Sequence, residues 1–338
     1  MKSTIAGIDL PDGAFAAVVT DALARVEDLL LTELSSGDEV LAEVATHLAK
    51  AGGKRFRPMF AILASHFGPE PVSDDVITAA TVVEMIHLAT LYHDDVMDEA
   101  PVRRGAQSAN ARWSNSIAIL GGDFLFARAS RLVSTLGPDF VRIIAETFAE
   151  LVTGQMRETV GARGTDAVDH YLKVVWEKTG SLIAAAGRFG AMTAGAAPER
   201  IESLAKVGDI VGVAFQVSDD LIDIASPTDD SGKTPGTDLR EGVHTLPVLL
   251  ALTGDGPDSA RLRELLLDPA TGAATPLTDD AQVTEALELL VASAGMDAAR
   301  ARLAQMAEQA HAELATLPAG PARDAFSSLV DYTVQRVG

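Results

Sequence analysis

Val207-Gly-Asp-Ile-Val-Gly-Val-Ala-Phe-Gln-Val217, followed directly by Ser218-Asp219-Asp220-Leu221-Ile222-Asp223, is the stretch that decides the fold. Wound as a helix, 207–217 is apolar around nearly its whole circumference. Such a helix belongs inside a bundle, surrounded by other helices. Gln216, set among apolar neighbours, then needs a hydrogen-bonding partner. The same three- and four-residue apolar spacing recurs outward from this point, at 19–31, 40–48, 76–92, 117–132, 141–160, 171–194, 201–224, 246–252, 283–314 and 322–337. Gly and Pro punctuate it, at Gly52-Gly53, Gly68-Pro69, Gly137-Pro138, Ala197-Pro198 and Pro235-Gly236. The pattern predicts an all-α chain of ten or more helices. A length of 338 residues admits two domains. No linker rich in Pro, Gly and Ser divides the chain, however, so one large single-domain helical bundle over 1–338 is expected.

Composition narrows the function. Hydrophobic residues make up 47% and charged residues 22%, enough apolar surface to exclude a disordered chain. Lys and Arg number 27 against 48 Asp and Glu, a net charge of −21, which argues against a nucleic-acid partner unless the cations are gathered in one place. With no cysteine, disulfides, thiolate metal sites and cysteine nucleophiles are excluded. No run of 18 apolar residues occurs, so no transmembrane segment is expected. Residues 1–21 hold one Lys and then acids, without the basic-then-apolar block of a secretory signal. A cytoplasmic protein is the expectation.

Asp94-Asp95-Val96-Met97-Asp98 closes one apolar helix, and Asp219-Asp220-Leu221-Ile222-Asp223 closes another. On a helix the first and last Asp of each set share a face, and the second is turned about 100° away. Like charges at that spacing repel. One such cluster is as readily a solvated helix face. Two copies, both at the ends of apolar helices, read instead as carboxylates gathered around cations. Magnesium suits them, because it takes oxygen ligands and is held by one or two carboxylates plus substrate phosphates.

Cations answer these clusters. Gly52-Gly53-Lys54-Arg55-Phe56-Arg57-Pro58 packs three into four residues, with glycines for close approach and Pro58 limiting the helix. Lys54 and Arg57 are spaced to meet one anion, Arg as a fork and Lys as a point charge. Arg103-Arg104-Gly105 follows the first cluster, Lys178-Thr179 ends an aromatic turn, and Lys233 follows the second cluster. Singly, each is an ordinary surface cation. Interleaved with metal-binding carboxylates, they meet the demand of two diphosphates, one held by magnesium and one by Lys and Arg.

Taken in order, these motifs, with Phe215-Gln216 and Gly236-Thr237-Asp238-Leu239-Arg240-Glu241-Gly242, make the chain resemble the trans-type polyprenyl diphosphate synthases. The likeness is strongest over about 40–250. It implies an isoprenoid synthase-type bundle around a deep central cavity, usually a homodimer. It also implies condensation of isopentenyl diphosphate with an allylic diphosphate. By that resemblance Asp94, Asp98 and Asp219 hold magnesium, about three ions per site, with Asp95, Asp220 and Asp223 in support. Arg103, Lys178 and Lys233 grip the allylic diphosphate. Lys54, Arg57, His87 and Arg104 hold isopentenyl diphosphate, and Thr179 and Gln216 offer oxygens to the reacting centre. His87 alone on an apolar helix would otherwise read as a core residue. His93 reads as structural. Where the family usually has Lys two residues before Thr245, this chain has Val243, then His244 as a partial substitute.

Product length in such enzymes is set upstream of the first cluster. Here Ala89 and Thr90 are small, and Met85 is the candidate floor, so a product longer than twenty carbons, about thirty to fifty, is expected. Transient membrane contact for product release goes with that length. A terpene cyclase of related fold fits less well, since its second metal motif differs and Lys54 and Arg57 would lack a second diphosphate. A regulatory subunit would be expected to have lost Asp ligands, and all six remain. A metal phosphohydrolase suggested by His66, His93 and Asp94 leaves the second cluster unexplained.

Overall fold

A computed structural model describes residues 3–5, 8–10, 13–225 and 235–336. The chain begins with an antiparallel pair, β1 (Ser3–Ile5) and β2 (Ile8–Leu10), then α1 (Gly13–Leu34), α2 (Glu39–Lys50), α3 (Phe56–Ser65) and α4 (Asp74–Met97). A second hairpin, β3 (Val102–Arg103) and β4 (Ala106–Gln107), leads to α5 (Ala109–Arg112), α6 (Asn115–Val133), α7 (Pro138–Val160) and α8 (Ala167–Val175). A π-turn, Trp176–Gly180, passes into α9 (Ser181–Thr193) and α10 (Pro198–Ala225). Then come α11 (Thr237–Glu241), α12 (Leu246–Leu252), α13 (Pro257–Leu266), α14 (Asp280–Val291), α15 (Ala294–Leu314) and α16 (Pro321–Gln335). The fold is all-α. Short polar caps start several helices: the Asp38, Asp166 and Asp279 carboxylates accept the first N–H groups of α2, α8 and α14, and the Ser73 hydroxyl does so for α4.

Contacts group the chain into two compact units. The first comprises Met1–Glu150, Ser181–Gly208 and Glu313–Leu329, and the second Leu151–Gly180, Asp209–Ala312 and Val330–Gly338. In the first, α4 is the central helix, packed by α1, α3, α6 and α9. It is long and apolar enough to cross a bilayer, yet 72% of its most apolar window is buried inside the protein, which makes it a core helix. Phe60 and Phe326, both fully buried, meet edge to face at 4.8 Å beside it. In the second unit, Val217 and Leu221 of α10 join Leu246, Val248, Leu262, Leu290 and Leu303 in a separate apolar core.

Three boundaries differ from the sequence reading. The apolar run over 171–194 is not one helix, because the π-turn interrupts it. The run over 283–314 breaks after Val291, where Ser293 closes α14 by donating to the Leu290 carbonyl and opens α15 by accepting the Met296 N–H. Pro58 does not limit α3 but lies in its first turn, where a missing N–H costs nothing. Phe60→Ala is expected to destabilise the protein by about 3–5 kcal/mol through the cavity it leaves, read as a lower midpoint in denaturant unfolding.

Candidate functional site

The first unit carries a cation cradle. Gly52 to Arg55 leads into α3 with Arg55 at the N-cap and no side-chain cap, so the open N–H groups of the first turn add positive potential. Arg57 sits in that turn, and its buried Nε has no hydrogen-bond partner. Burial pulls the Arg57 guanidinium down to about 10, the Glu84 carboxylate opposes that fall, and Arg104 deepens it. His87, on α4, is pushed well below its ordinary value by burial and then by Arg57, Arg104, Arg103 and Arg55. It is therefore a neutral imidazole at pH 7, able to hydrogen-bond an anion without adding charge. Arg104 donates to the carbonyls of Leu48, at 3.2 Å, and Gly52, near the end of α2. Its guanidinium lies against Gly53, whose φ of 144° is a backbone conformation that favours glycine. Lys54 is exposed at the mouth of the same loop.

The first carboxylate cluster ends α4. Asp98 is the C-cap, its N–H bonded to the Asp94 carbonyl at 2.8 Å. Asp95 turns inward and is fully buried. Its Oδ1 accepts Arg103 Nε at 2.6 Å, while its Oδ2 is buried without a partner. Arg103 also stands 3.9 Å from Asp98. Burial pushes the Asp95 carboxyl up, and Arg103 pulls it back down. Negative charges here oppose the negative end of the helix dipole, which leaves the cluster in need of a cation. The donors are all carboxylate oxygens and one buried oxygen is unpaired, so the set fits a hard divalent ion. Among the described residues no three His, Asp or Glu side chains form a ready ligand cage. An ion that completes its shell with water and phosphate oxygens does not require one.

The second unit carries the other cluster on α10. The Gln216 amide nitrogen donates to Asp220 Oδ1 at 3.0 Å, which supplies the partner its apolar setting demands. The Tyr171 hydroxyl donates to Asp220 Oδ2, and burial pushes that phenol well up. Asp223 accepts the N–H groups of Thr237 and Asp238, each at 3.3 Å, so it caps α11 from across the loop. Arg336 donates to Asp219 and stacks 4.5 Å over the Phe215 ring. Lys178 and Thr179 lie in the π-turn, an irregularity common at functional sites. Trp176 Nε1 ties the turn to Asp209 at 2.7 Å, and Arg157 clasps Glu177 with two bonds of 2.8 and 3.2 Å. A Cβ on Gly154 would come within 2.7 Å of Glu177, so glycine lets α7 approach the turn. Lys178 pairs with Glu158.

Thus the first unit gathers Arg57, His87 and Arg104 and, beside them, Arg103 with Asp95 and Asp98. The second gathers Gln216, Asp219, Asp220 and Asp223. Lys233 lies outside the described residues. Ala89 and Met85 are fully buried, and the Thr90 hydroxyl bonds the His87 carbonyl at 2.8 Å. Val243 is 41% exposed. Burial pushes His244 down, so it is neutral at pH 7 and cannot replace the charge of a lysine. Sequence reasoning missed Glu84, Tyr171 and Arg336. A lone acid within an apolar run was a signal for Glu84. Nothing local marked the other two. Since Arg57 holds its charge only below about pH 10, KM for an anion bound in the cradle is expected to stay flat below that pH and rise through it, as steady-state kinetics would show.

Residues 38–282 match the family described as polyprenyl synthetase. The chain is 59% identical over 337 residues to the nonaprenyl diphosphate synthase of Mycobacterium tuberculosis, covering 99% of this chain and 98% of that one. It is 32% identical to the octaprenyl diphosphate synthase of Escherichia coli, covering 93% and 95%. A crystal structure of geranylgeranyl pyrophosphate synthase from Corynebacterium glutamicum, complexed with calcium and isoprenyl diphosphate, superposes with a TM-score of 0.88 at 56% identity, covering 98% of this chain and 100% of that one.

Proposed function

The chain belongs to the polyprenyl synthetase family, and from that premise we propose how its residues carry out trans-prenyl transfer. The protein is a prenyltransferase that condenses isopentenyl diphosphate with an allylic diphosphate to give a trans-polyprenyl diphosphate longer than twenty carbons. The observation that carries the reading is the repeated carboxylate cluster at the ends of α4 and α10, together with an anion cradle at the start of α3. The family match spans both clusters and the cradle, which supports reading 1–338 as one synthase domain around a central cavity.

Asp94, Asp98 and Asp219 hold the divalent ions in this reading, magnesium and about three per site. Asp95, Asp220 and Asp223 brace them through Arg103, through Tyr171 and Gln216, and through the α11 backbone. When bound, the metal supplies charge neutralisation on the departing diphosphate oxygens. The C1–O bond of the allylic diphosphate breaks, and the electron pair leaves with the diphosphate. The isopentenyl double bond attacks C1, forming the new C–C bond. A proton is lost to the released diphosphate. Arg103, Lys178 and Lys233 grip that diphosphate. Lys54, Arg57, His87 and Arg104 hold isopentenyl diphosphate, with the neutral His87 ring as a hydrogen-bonding group. Thr179 and Gln216 present oxygens to the cationic carbon. The Gln216 nitrogen is committed to Asp220, which leaves its oxygen for this task.

The growing tail runs past Ala89 and Thr90 toward Met85, which sets a product of about thirty to fifty carbons. Exposed Val152, Met156 and Val160, four apart along α7, support a homodimer contact. A cytoplasmic setting, with transient membrane contact for release of the product, completes the reading.

Incubation with labelled isopentenyl diphosphate, farnesyl diphosphate and magnesium, followed by product chromatography, is expected to give a ladder ending at one long chain and abolished by chelator. Absence of elongation from any allylic primer would overturn the assignment. Ala89→Phe is expected to shorten the final product by at least one isoprene unit, and an unchanged ladder would remove Ala89 from the path of the tail. Asp94→Ala is expected to lower kcat about 10²–10³-fold, the usual scale for loss of one electrostatic stabiliser.

A further inference from the structure

Glu84 lies on α4, three residues before His87, and is 2% exposed. It is a buried acid that faces the cradle. Its Oε1 accepts Arg55 Nη1 at 3.0 Å and stands 3.6 Å from Arg104 Nη2. These two arginines share a second property. Both hold left-handed backbone, with φ of 50° at Arg55 and 54° at Arg104. That region is unfavourable for a side-chain-bearing residue and persists only where the surroundings over-determine it. At Arg104 it forms, with Gly105 at φ 74°, the tight turn between β3 and β4 that presents the guanidinium to the cradle.

Arg55 itself is not available to a ligand. Glu27 clasps it at 2.7 and 2.9 Å, and its Nη2 reaches the Ala49 carbonyl at 2.8 Å. Its role is to fix the loop that carries Lys54 on one side and Arg57 on the other. Arg104 is fixed by Glu84 and by the carbonyls at the end of α2. One carboxylate oxygen therefore joins both strained turns of the cradle.

We propose that Glu84 is a positioning residue for isopentenyl diphosphate: its Oε1 holds Arg55 and Arg104 in their left-handed turns, so that Lys54, Arg57 and Arg104 stay arranged around His87 before the substrate arrives. The inference rests on the reading of the cradle as the isopentenyl diphosphate site. Its selectivity follows from position. Glu84 pairs with Arg55 and Arg104 of that cradle, so its loss weighs on isopentenyl diphosphate more than on the allylic substrate.

The test is steady-state kinetics of Glu84→Gln and Glu84→Asp with both substrates varied, beside thermal unfolding. Glutamine keeps the shape and removes the charge. Aspartate keeps the charge on a shorter stem and is the variant that decides if glutamine does not fold, since a buried pair broken on one side is costly. KM for isopentenyl diphosphate is expected to rise about tenfold in Glu84→Gln, the scale of one charge-assisted hydrogen bond. It is expected to rise severalfold in Glu84→Asp. KM for the allylic primer and kcat should each change less than about twofold. Folded variants with unchanged KM for isopentenyl diphosphate, or with only a lower kcat and melting temperature, would overturn the proposal. Arg57→Gln separates the two readings. If it leaves that KM unchanged, the cradle assignment fails. If it raises that KM and the Glu84 variants do not, the positioning role alone fails.

Discussion

Buried charge is the constraint on which the site depends. Asp95, Glu84, Asp220 and Glu177 are all nearly inaccessible to solvent. Each would be strongly unfavourable there without a partner. Each has one that arrives from another segment: Arg103 from the β3–β4 hairpin, Arg55 and Arg104 from two tight turns, Tyr171 from α8, and Arg157 from α7. The loops are therefore not decorations on a helical scaffold. Their courses are set by the need to bring a donor to a carboxylate that the helices have already buried.

The same constraint explains the charge distribution. A chain with a net charge of −21 repels free diphosphate at a distance, and that repulsion is screened beyond about 8–10 Å at physiological salt. Capture is then local, in places where guanidinium groups and an open helix N-terminus outweigh the surrounding acid. A neutral His87 in the cradle fits this balance. Adding a further cation beside Arg57 and Arg104 would raise the cost of holding them together before the anion arrives.

Much of this was legible in the sequence, for identifiable reasons. The helices showed because α4 and α10 are apolar nearly all round, and the carboxylate clusters because they end such helices. Gln216 announced its need for a partner by its setting. What stayed hidden depended on long-range contacts. Arg336 lies 117 residues from Asp219, and Tyr171 lies 49 from Asp220. Local pattern cannot encode such pairs. Pro58 was misread because proline ends a helix or starts one according to a position that composition does not give. Ser293 divided one apolar period into two helices by serving as closing donor and opening acceptor at once. His244 stands as a partial substitute for the usual lysine donor, and burial, which pushes it down, leaves it an imidazole N–H to donate rather than a lysine's charge.

The π-turn at Trp176–Gly180 carries a consequence for helical phase. A π-turn holds roughly one residue more than the α-helical turn it replaces, and each residue advances a helix by about 100°. The stripe of side chains on α8 and the stripe on α9 are thus out of step by about that angle. Deleting one residue between Trp176 and Gly180 would restore a continuous helix and turn every side chain beyond it to a different bearing. The irregularity that places Lys178 and Thr179 thus also sets a break in helical phase within the chain.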